Sequence, residues 1–389
     1  MAKINSHFSR LNSPYIFPII EEKLAVLQSQ VASSSILNLG IGDIALPLAP
    51  SVVKAICQAT QEMGIQESQK GYGPSEGYAF LRENIAKTCY HDLGISAEEI
   101  FISDGTNSDT ANFQELFAHD SVVAIPDPTY PVYKATNIMA GRADTIIYLP
   151  CTEENDYLPQ PPSCRVDLVY ICSPNNPTGV ALNRKAWEKW IAYAKEHEAV
   201  IVHDHAYSAF IRSPDVPSTV YEIPGAKEVV VECCSFSKTA GFTGLRCAWA
   251  VVPKALPHHL HALWKKRVTT KSNGVAYPIQ KGALAALTPE GKEETKKQVD
   301  TYMEQALLLS SGLKKLGFSC FGGLDAPYIW WKTPPGMHSW QFFDTLLENC
   351  HLIAIPGLGF GQYGEGYVRL STFTTAEIAT KALERISQL

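Results

Sequence analysis

The stretch Cys234-Ser235-Phe236-Ser237-Lys238-Thr239-Ala240-Gly241-Phe242-Thr243-Gly244-Leu245-Arg246 decides how the rest of the chain is read. It lies between two apolar runs, Val229-Val230-Val231 and Cys247-Ala248-Trp249-Ala250-Val251-Val252, that read as buried strands. A lysine between buried strands loses solvation as an ammonium, which lowers its pKa. A less basic amine is what Schiff-base chemistry requires. Ser235, Ser237 and Arg246 add hydroxyls and a planar cationic fork, the donor set a phosphate takes. Gly241 and Gly244 let the backbone turn tightly beside them. In isolation the stretch is equally compatible with a solvated surface loop.

Outward from it, short apolar runs alternate with helical periodicity. Strands are read at 36–39, 100–103, 122–125, 167–172 and 199–202, and helices at 21–30, 50–63, 78–91 and 186–196. In an open α/β sheet, ligands sit beyond the carboxyl ends of the strands. Here those ends carry Tyr130, Asn176, Asp204, Tyr207 and Lys238. Turn chemistry alone explains neither an acid nor a lysine there. The Gly-turn at 38–43 reads best as a plain turn. Asp104-Gly105-Thr106-Asn107 opens a helix, either as a simple cap or as an anion site at the positive end of the dipole.

Beyond residue 275 the texture changes. Residues 276–315 are largely helical, 317–331 hold two short strands, 341–349 a helix, 353–357 and 367–371 strands, and a last helix closes the chain. The fold class expected is α/β. Residues 1–47 form an N-terminal arm and part of a small domain. Residues 48–275 form a large domain with a mostly parallel sheet flanked by helices, and 276–389 a smaller α+β domain.

The 389 residues are 46% hydrophobic with a net charge of -6, which provides for a large core and lacks the basic balance of a nucleic-acid-binding protein. The ten cysteines show neither CxxC nor Cys/His ligand spacing, which suits buried thiols in a reducing compartment and no metal site. Residues 1–10 lack the apolar core of a signal peptide, and no apolar run is long enough to span a bilayer. A cytoplasmic protein without membrane or nucleic-acid partners is expected.

Asn175-Asn176-Pro177-Thr178-Gly179, Asp204 with Tyr207, Ser235-x-Ser237-Lys238, Arg246 and Arg369 together resemble the fold-type I pyridoxal 5′-phosphate (PLP) enzymes of the class I/II aminotransferase family, over essentially the whole chain. The resemblance implies PLP as cofactor, with Lys238, Asp204 and Tyr207 as catalytic residues. Lys238 would hold PLP as a Schiff base and move the proton at the substrate Cα. Asp204 would pair with the pyridine nitrogen, so that the ring can accept electrons. Asn176 and Tyr207 would bond the ring 3′-oxygen, and Tyr130 would stack on the ring. Ser235, Ser237, Arg246 and the Thr106-Asn107 backbone would hold the phosphate. Tyr72 of a second copy would reach the same phosphate, which implies a homodimer with shared sites. Arg369 would clamp the carboxylate of an amino acid substrate, with Tyr15, Gly42, Ser75 and Asn176 beside it.

Within the family, residues 12–17, 38–43, 71–74, 103–105, 127–131, 240–246 and 356–361 are similar to the LL-diaminopimelate aminotransferase branch. The departures fall on the substrate side. Ile44-Ala45 stand where that branch has two threonines, Ser75 where it has a glutamate, Asn107 where it has a lysine, and His205 where it has a small apolar residue. Losing a carboxylate and a cation leaves charges of a doubly zwitterionic substrate unpaired. The expectation drawn from this is a cyclising dehydratase of a hydroxyarginine-type substrate, giving a cyclic guanidine amino acid. His205 and His7 are the imidazoles available as its additional acid or base, and each serves equally as a packing or surface residue. The alternatives are an aminotransferase, for LL-diaminopimelate with 2-oxoglutarate or a related donor, and a PLP-binding protein without catalysis.

Overall fold

The runs Val123–Asp127, Leu168–Cys172, Val200–Asp204 and Val230–Ser235 are buried at every residue, and strands of that kind need cover on both faces. A computed structural model, which describes residues 2–11, 16–29, 32 and 35–389, shows how they obtain it. Helix α1 (Ile16–Gln28) and strand β1 (Leu37–Asn38) lead to helices α2 (Pro50–Met63) and α3 (Ala79–Cys89). Next come β2 (Ile100–Ser103), α4 (Thr106–Phe113), β3 (Val123–Asp127), α5 (Val132–Met139), β4 (Ile146–Pro150), β5 (Leu168–Cys172) and α6 (Arg184–His197). They are followed by β6 (Val200–Asp204), β7 (Val230–Ser235), the single turn α7 (Phe236–Thr239) and β8 (Ala248–Val251). The chain continues through α8 (Leu260–Lys271), α9 (Tyr277–Ala286), α10 (Pro289–Lys315), β9 (Cys320–Gly322), β10 (Tyr328–Lys332) and α11 (Ser339–Cys350). It ends with β11 (Leu352–Ile353), β12 (Ile355–Pro356), β13 (Tyr367–Ser371) and α12 (Ala376–Ile386).

The large sheet has seven strands in the order β2-β8-β7-β6-β5-β3-β4. Only β8 runs against its neighbours; β3, β4, β5, β6 and β7 pair in parallel. Successive side chains point to opposite faces. Val169, Ile171 and Ile201 therefore join Trp187 and Trp190 of α6 in one core. Leu168, Tyr170, Val200 and Val202 join Phe113 of α4, Tyr133 of α5 and Trp264 of α8 in another. The register sets Asp204 level with Cys172 on one side and Cys233 on the other.

A four-stranded antiparallel sheet, β12-β13-β10-β9, lies toward the C-terminus. β1 pairs in parallel with β11, and Ser371 N donates to Leu39 O at 2.6 Å, so residues 37–39 are tied to this later part of the chain. The helical run at 276–315 is two helices. Pro289 stands in the first turn of α10, where a missing N–H costs nothing, and the Thr288 hydroxyl caps it by accepting from Gly291 N at 3.1 Å.

Three helices or strands, α5, β4 and α8, escape the sequence reading. β4 is an edge strand with Tyr148 exposed, so its apolar alternation is broken. α8 is anchored only by Leu260, Trp264 and Val268, at a spacing of four residues among many cations. The helix read at 21–30 begins earlier, at Ile16, and its last position falls outside the described residues.

Arg142 fixes the helix that opens on the strand ends. Only 1% of it is exposed. Its guanidinium donates to the carbonyls of Gln114 at 3.0 Å, Phe117 at 2.6 Å and Ala118 at 2.9 Å, and to Asn137 Oδ1 at 3.2 Å. These bonds satisfy the chain just past α4 and lock it to α5. Replacing Arg142 by leucine strips several buried carbonyls of their donor, and the expected loss of stability in urea denaturation is about 3 kcal/mol. A loss below about 1 kcal/mol would mean that water takes over the bonds.

Candidate active site

The carboxyl ends of β3, β5, β6 and β7 open on one cavity of about 380 Å³. Lys238 reaches it because β7 passes directly into the short α7, which the Ser235 hydroxyl caps by accepting from Ser237 N at 3.0 Å. The Lys238 ammonium donates to Gly42 O and lies 5.2 Å from the centre of the Phe373 ring. Burial lowers its pKa to about 8; Asp43 opposes the shift, while the charges of Arg369 and Arg246 add to it.

Asp204 ends β6 and is 6% exposed. Its Oδ2 accepts from Tyr133 Oη at 2.6 Å and its Oδ1 from Ala206 N at 3.2 Å. Burial raises the carboxyl above its ordinary value, against the pull of these two neutral donors. Arg369, on β13, is buried across the cavity. Its Nη1 donates to Asn176 Oδ1 at 2.7 Å and its Nη2 to Gly40 O at 2.6 Å, and the ring of Tyr328 lies 4.6 Å away. Burial lowers its pKa, and its Nε has no hydrogen-bond partner among the described residues. Tyr207 Oη lies 2.8 Å from Tyr328 Oη, and burial pushes its pKa up.

At the other end of the cavity, Arg246 Nη1 donates to Thr243 O at 3.1 Å and lies 3.4 Å from Ser237 Oγ. Gly105 has φ +148°, and a Cβ there would collide with the Arg246 guanidinium. That glycine lets α4 begin against the arginine and places Thr106 and Asn107 on the cavity wall. Tyr130 Oη donates to Asn107 Oδ1 at 3.1 Å.

Gly42, Thr106, Asn107, Tyr130 and Asn176 line this cavity, as do Asp204, Tyr207, Ser235, Ser237, Lys238, Arg246 and Arg369. The structure thus brings together residues up to 327 positions apart in the chain (Gly42 and Arg369). Two expected residues are not on the wall, and the placement of a third is not described. Tyr72 is 90% exposed. Ser75 is half-buried outside the cavity of its own chain. Tyr15 lies outside the described residues. His205 does not line the cavity either; both its ring nitrogens face backbone carbonyls, of Ser173 at 2.7 Å and Ser218 at 2.9 Å. His7 sits in the Ser6–Arg10 turn against Gly141. Neither imidazole is placed as the acid or base of the cyclisation.

Sequence reasoning missed Tyr133 and Tyr328. Tyr133 follows Tyr130 by three residues at the start of α5, a helical spacing that could have flagged it. Tyr328 gave no signal, since its partner Tyr207 is 121 residues away.

The chemistry of these groups defines a class. A buried carboxylate with neutral partners, an amine of lowered pKa, an arginine fork with a free donor and a second arginine among hydroxyls suit PLP and an amino acid carboxylate. Comparison with known proteins identifies the class as a family. Residues 34–386 match the model of aminotransferase class I and II, and the chain belongs to that family of PLP-dependent enzymes. It is 44% identical, over 406 aligned residues, to an LL-diaminopimelate aminotransferase of Methanosphaera stadtmanae, spanning 100% of this chain and 99% of that protein. Among solved structures it is similar to the L,L-diaminopimelate aminotransferase of Chlamydomonas reinhardtii, with a TM-score of 0.94 and 40% identity over 100% of this chain and 98% of the other. A substrate-bound structure of BacF from Bacillus subtilis follows at a TM-score of 0.87 and 28% identity, over 100% of this chain and 98% of the other.

These relationships overturn the cyclising dehydration expected from the altered residues, because a full-length relative at 44% identity is an aminotransferase. The structure gives the physical reason for the misreading. Ala45 N and Leu46 N both donate to Tyr302 Oη, at 3.0 and 2.9 Å, and Ile44 packs against Gly241 and the core. Of Ile44, Ala45, Ser75, Asn107 and His205, only Asn107 lines the cavity.

Lys238 also has a measurable signature without cofactor. Its pKa is lowered from 10.5 to about 8, so between those values the unfolded chain holds more protons than the folded one. Stability of the apo chain should therefore rise with pH from about 8 to about 10.5, relative to Lys238→Met. Parallel stability curves for the two proteins would show that the amine is solvated.

Proposed function

We propose that the chain is an aminotransferase that takes its amino group from LL-diaminopimelate, or a closely related diamino dicarboxylate, and passes it to 2-oxoglutarate. The observation that carries this reading is the 44% identity over the whole chain to the LL-diaminopimelate aminotransferase of Methanosphaera stadtmanae. The cavity supports it, because the altered positions fall outside its wall except at Asn107. Asn107 keeps a polar group there, held by Tyr130.

PLP, when bound, supplies an aldehyde that captures the amino group and a ring that draws electrons from Cα. Lys238 would be its covalent anchor. An amine with a pKa of about 8 is neutral often enough near neutral pH to take a proton from carbon and give it back. Asp204 would face the ring nitrogen; the Tyr133 bond orients it and opposes the rise in its pKa that burial causes. Asn176 and Tyr207 would meet the ring oxygen, and Tyr130 the ring face. Ser235, Ser237, Arg246 and the Thr106-Asn107 amides would hold the phosphate. Arg369 would bind the α-carboxylate through its fork, already aimed by Asn176 and Gly40.

The reading includes a homodimer. Tyr72 stands fully out from its own chain in the loop at 70–75, which suits contact with the phosphate end of a second copy. It also includes a cytosolic setting, which is supported by ten free thiols, most of them buried. No described helix is long and apolar enough to cross a membrane.

The direct test is glutamate formation from 2-oxoglutarate with LL-diaminopimelate, lysine or aspartate as donor. LL-diaminopimelate should be preferred by at least about tenfold, the discrimination that one matched polar contact provides. Glutamate from aspartate but none from LL-diaminopimelate would discard the substrate and keep the reaction. No glutamate from any donor would discard the reaction. Asp204→Asn should retain fold and PLP yet lose about 10²–10³-fold in kcat. Turnover near wild type would assign Asp204 to structure alone.

A further inference from the structure

We propose that His205 is a positioning residue for the substrate clamp, acting with His203 through the Ser173 carbonyl. Strand parity is the starting point. Asp204 points to the cavity, so His203 and His205 on either side of it point to the opposite face of the sheet. There His203 Nε2 lies 3.0 Å and His205 Nδ1 2.7 Å from the same atom, Ser173 O. A carbonyl only accepts, so both rings donate and both lone pairs of that oxygen are engaged. Ser173 N donates back to Asp204 O at 3.1 Å. Ser173 opens the turn that carries Asn176, and Asn176 Oδ1 holds Arg369 Nη1 at 2.7 Å. The two histidines thus fix one end of the turn whose other end aims the arginine.

His205 anchors this turn to a second segment. Its Nε2 lies 2.9 Å from Ser218 O. An imidazole that donates from both nitrogens is cationic. The counter-charge is at hand in Glu232 on β7, which is fully buried and accepts from Thr219 Oγ1 at 2.8 Å, Val220 N at 2.9 Å and Tyr90 Oη at 2.9 Å. Burial pushes the Glu232 carboxyl up, but the His203 ring, the charge of His205 and the Val220 amide outweigh it and hold it at about 2. Charge-assisted bonds are roughly twice as strong as neutral ones. His205 is 3% exposed, so its bonds are little weakened by solvent.

The alternative is that His205 only stabilises the fold. A cavity of about 310 Å³ borders it, so water can replace a deleted ring without moving the turn. The inference rests on Arg369 and Asn176 serving the substrate as proposed, and the test has one arm that does not. His205→Ala and His205→Gln are compared with wild type, the glutamine keeping one amide donor for Ser173 O. In the apo chain, amide hydrogen exchange at residues 175–180 should quicken about tenfold in His205→Ala, the loss of about one hydrogen bond, with β3 and β4 unchanged. In the holoenzyme, KM for the amino donor should rise about tenfold with kcat within about threefold, because a carboxylate clamp binds ground and transition states alike. His205→Gln should recover most of both effects, and it carries the test if the alanine variant does not fold. A lowered Tm with unchanged exchange at 175–180 and unchanged KM would overturn the proposal. Quickened exchange with unchanged KM would remove the link to substrate. If no donor is turned over, the exchange arm decides the clamp alone.

Discussion

Asp204 and Arg369, both buried, and the half-buried Lys238 surround one cavity with no ion-pair partner there among the described residues. Lys238 donates to a carbonyl, Asp204 accepts from a hydroxyl and an amide, and Arg369 donates to an amide oxygen and a carbonyl. Burying an ion without its opposite is costly, and folds carry such groups where a ligand completes them. The pKa shifts express the cost: the lysine is lowered to about 8 and the aspartate is raised, each mainly by burial. A cofactor with a basic ring nitrogen and an aldehyde, and a substrate with a carboxylate, relieve all three at once.

The sheet makes the arrangement possible. Parallel strands deliver their carboxyl ends to one edge, so that Tyr130, Asn176, Asp204 and Lys238 converge without long loops. The antiparallel β8 lies beside β7 and brings Arg246, one residue before the Cys247 that leads into it, back to the start of α4. The late sheet contributes Tyr328, which pairs with Ser371, and Arg369, which pairs with Trp330, across β10 and β13, so this side of the cavity is built from chain remote from the strand ends of the large sheet. The opposite face carries its own polar layer of His203, His205 and Glu232, directly beneath the strand ends.

Much of the cofactor side was legible because strand ends are marked in the sequence. Asp204 and Lys238 each come just after a strand rich in apolar residues, and no turn needs an acid or an amine there. The opposite side was legible only in part: Gly42, Asn176 and Arg369 line the cavity as expected, but Tyr328 went unread. Tyr328 and Tyr207 meet only when the two sheets pack, and no local pattern records that contact. Tyr133 owes its role to the packing of α5 on the sheet. The misreadings have a common cause, which is that nearness in sequence was taken for nearness in space. Ile44 follows Gly42 yet packs on the core, Ala45 is exposed and held only by its amide, and His205 follows Asp204 yet faces away from it. For His205 the period of the strand already contained the answer, since neighbouring residues of a strand cannot share a face.

The account turns on Lys238 being the residue that bonds the cofactor. Reduction of the yellow holoenzyme with borohydride makes that bond permanent, and peptide mapping by mass spectrometry then locates it. The account predicts the pyridoxyl mass on the peptide carrying Ser235-Phe236-Ser237-Lys238, at Lys238. The same mass on Lys265 or Lys271, with Lys238 unmodified, would contradict it.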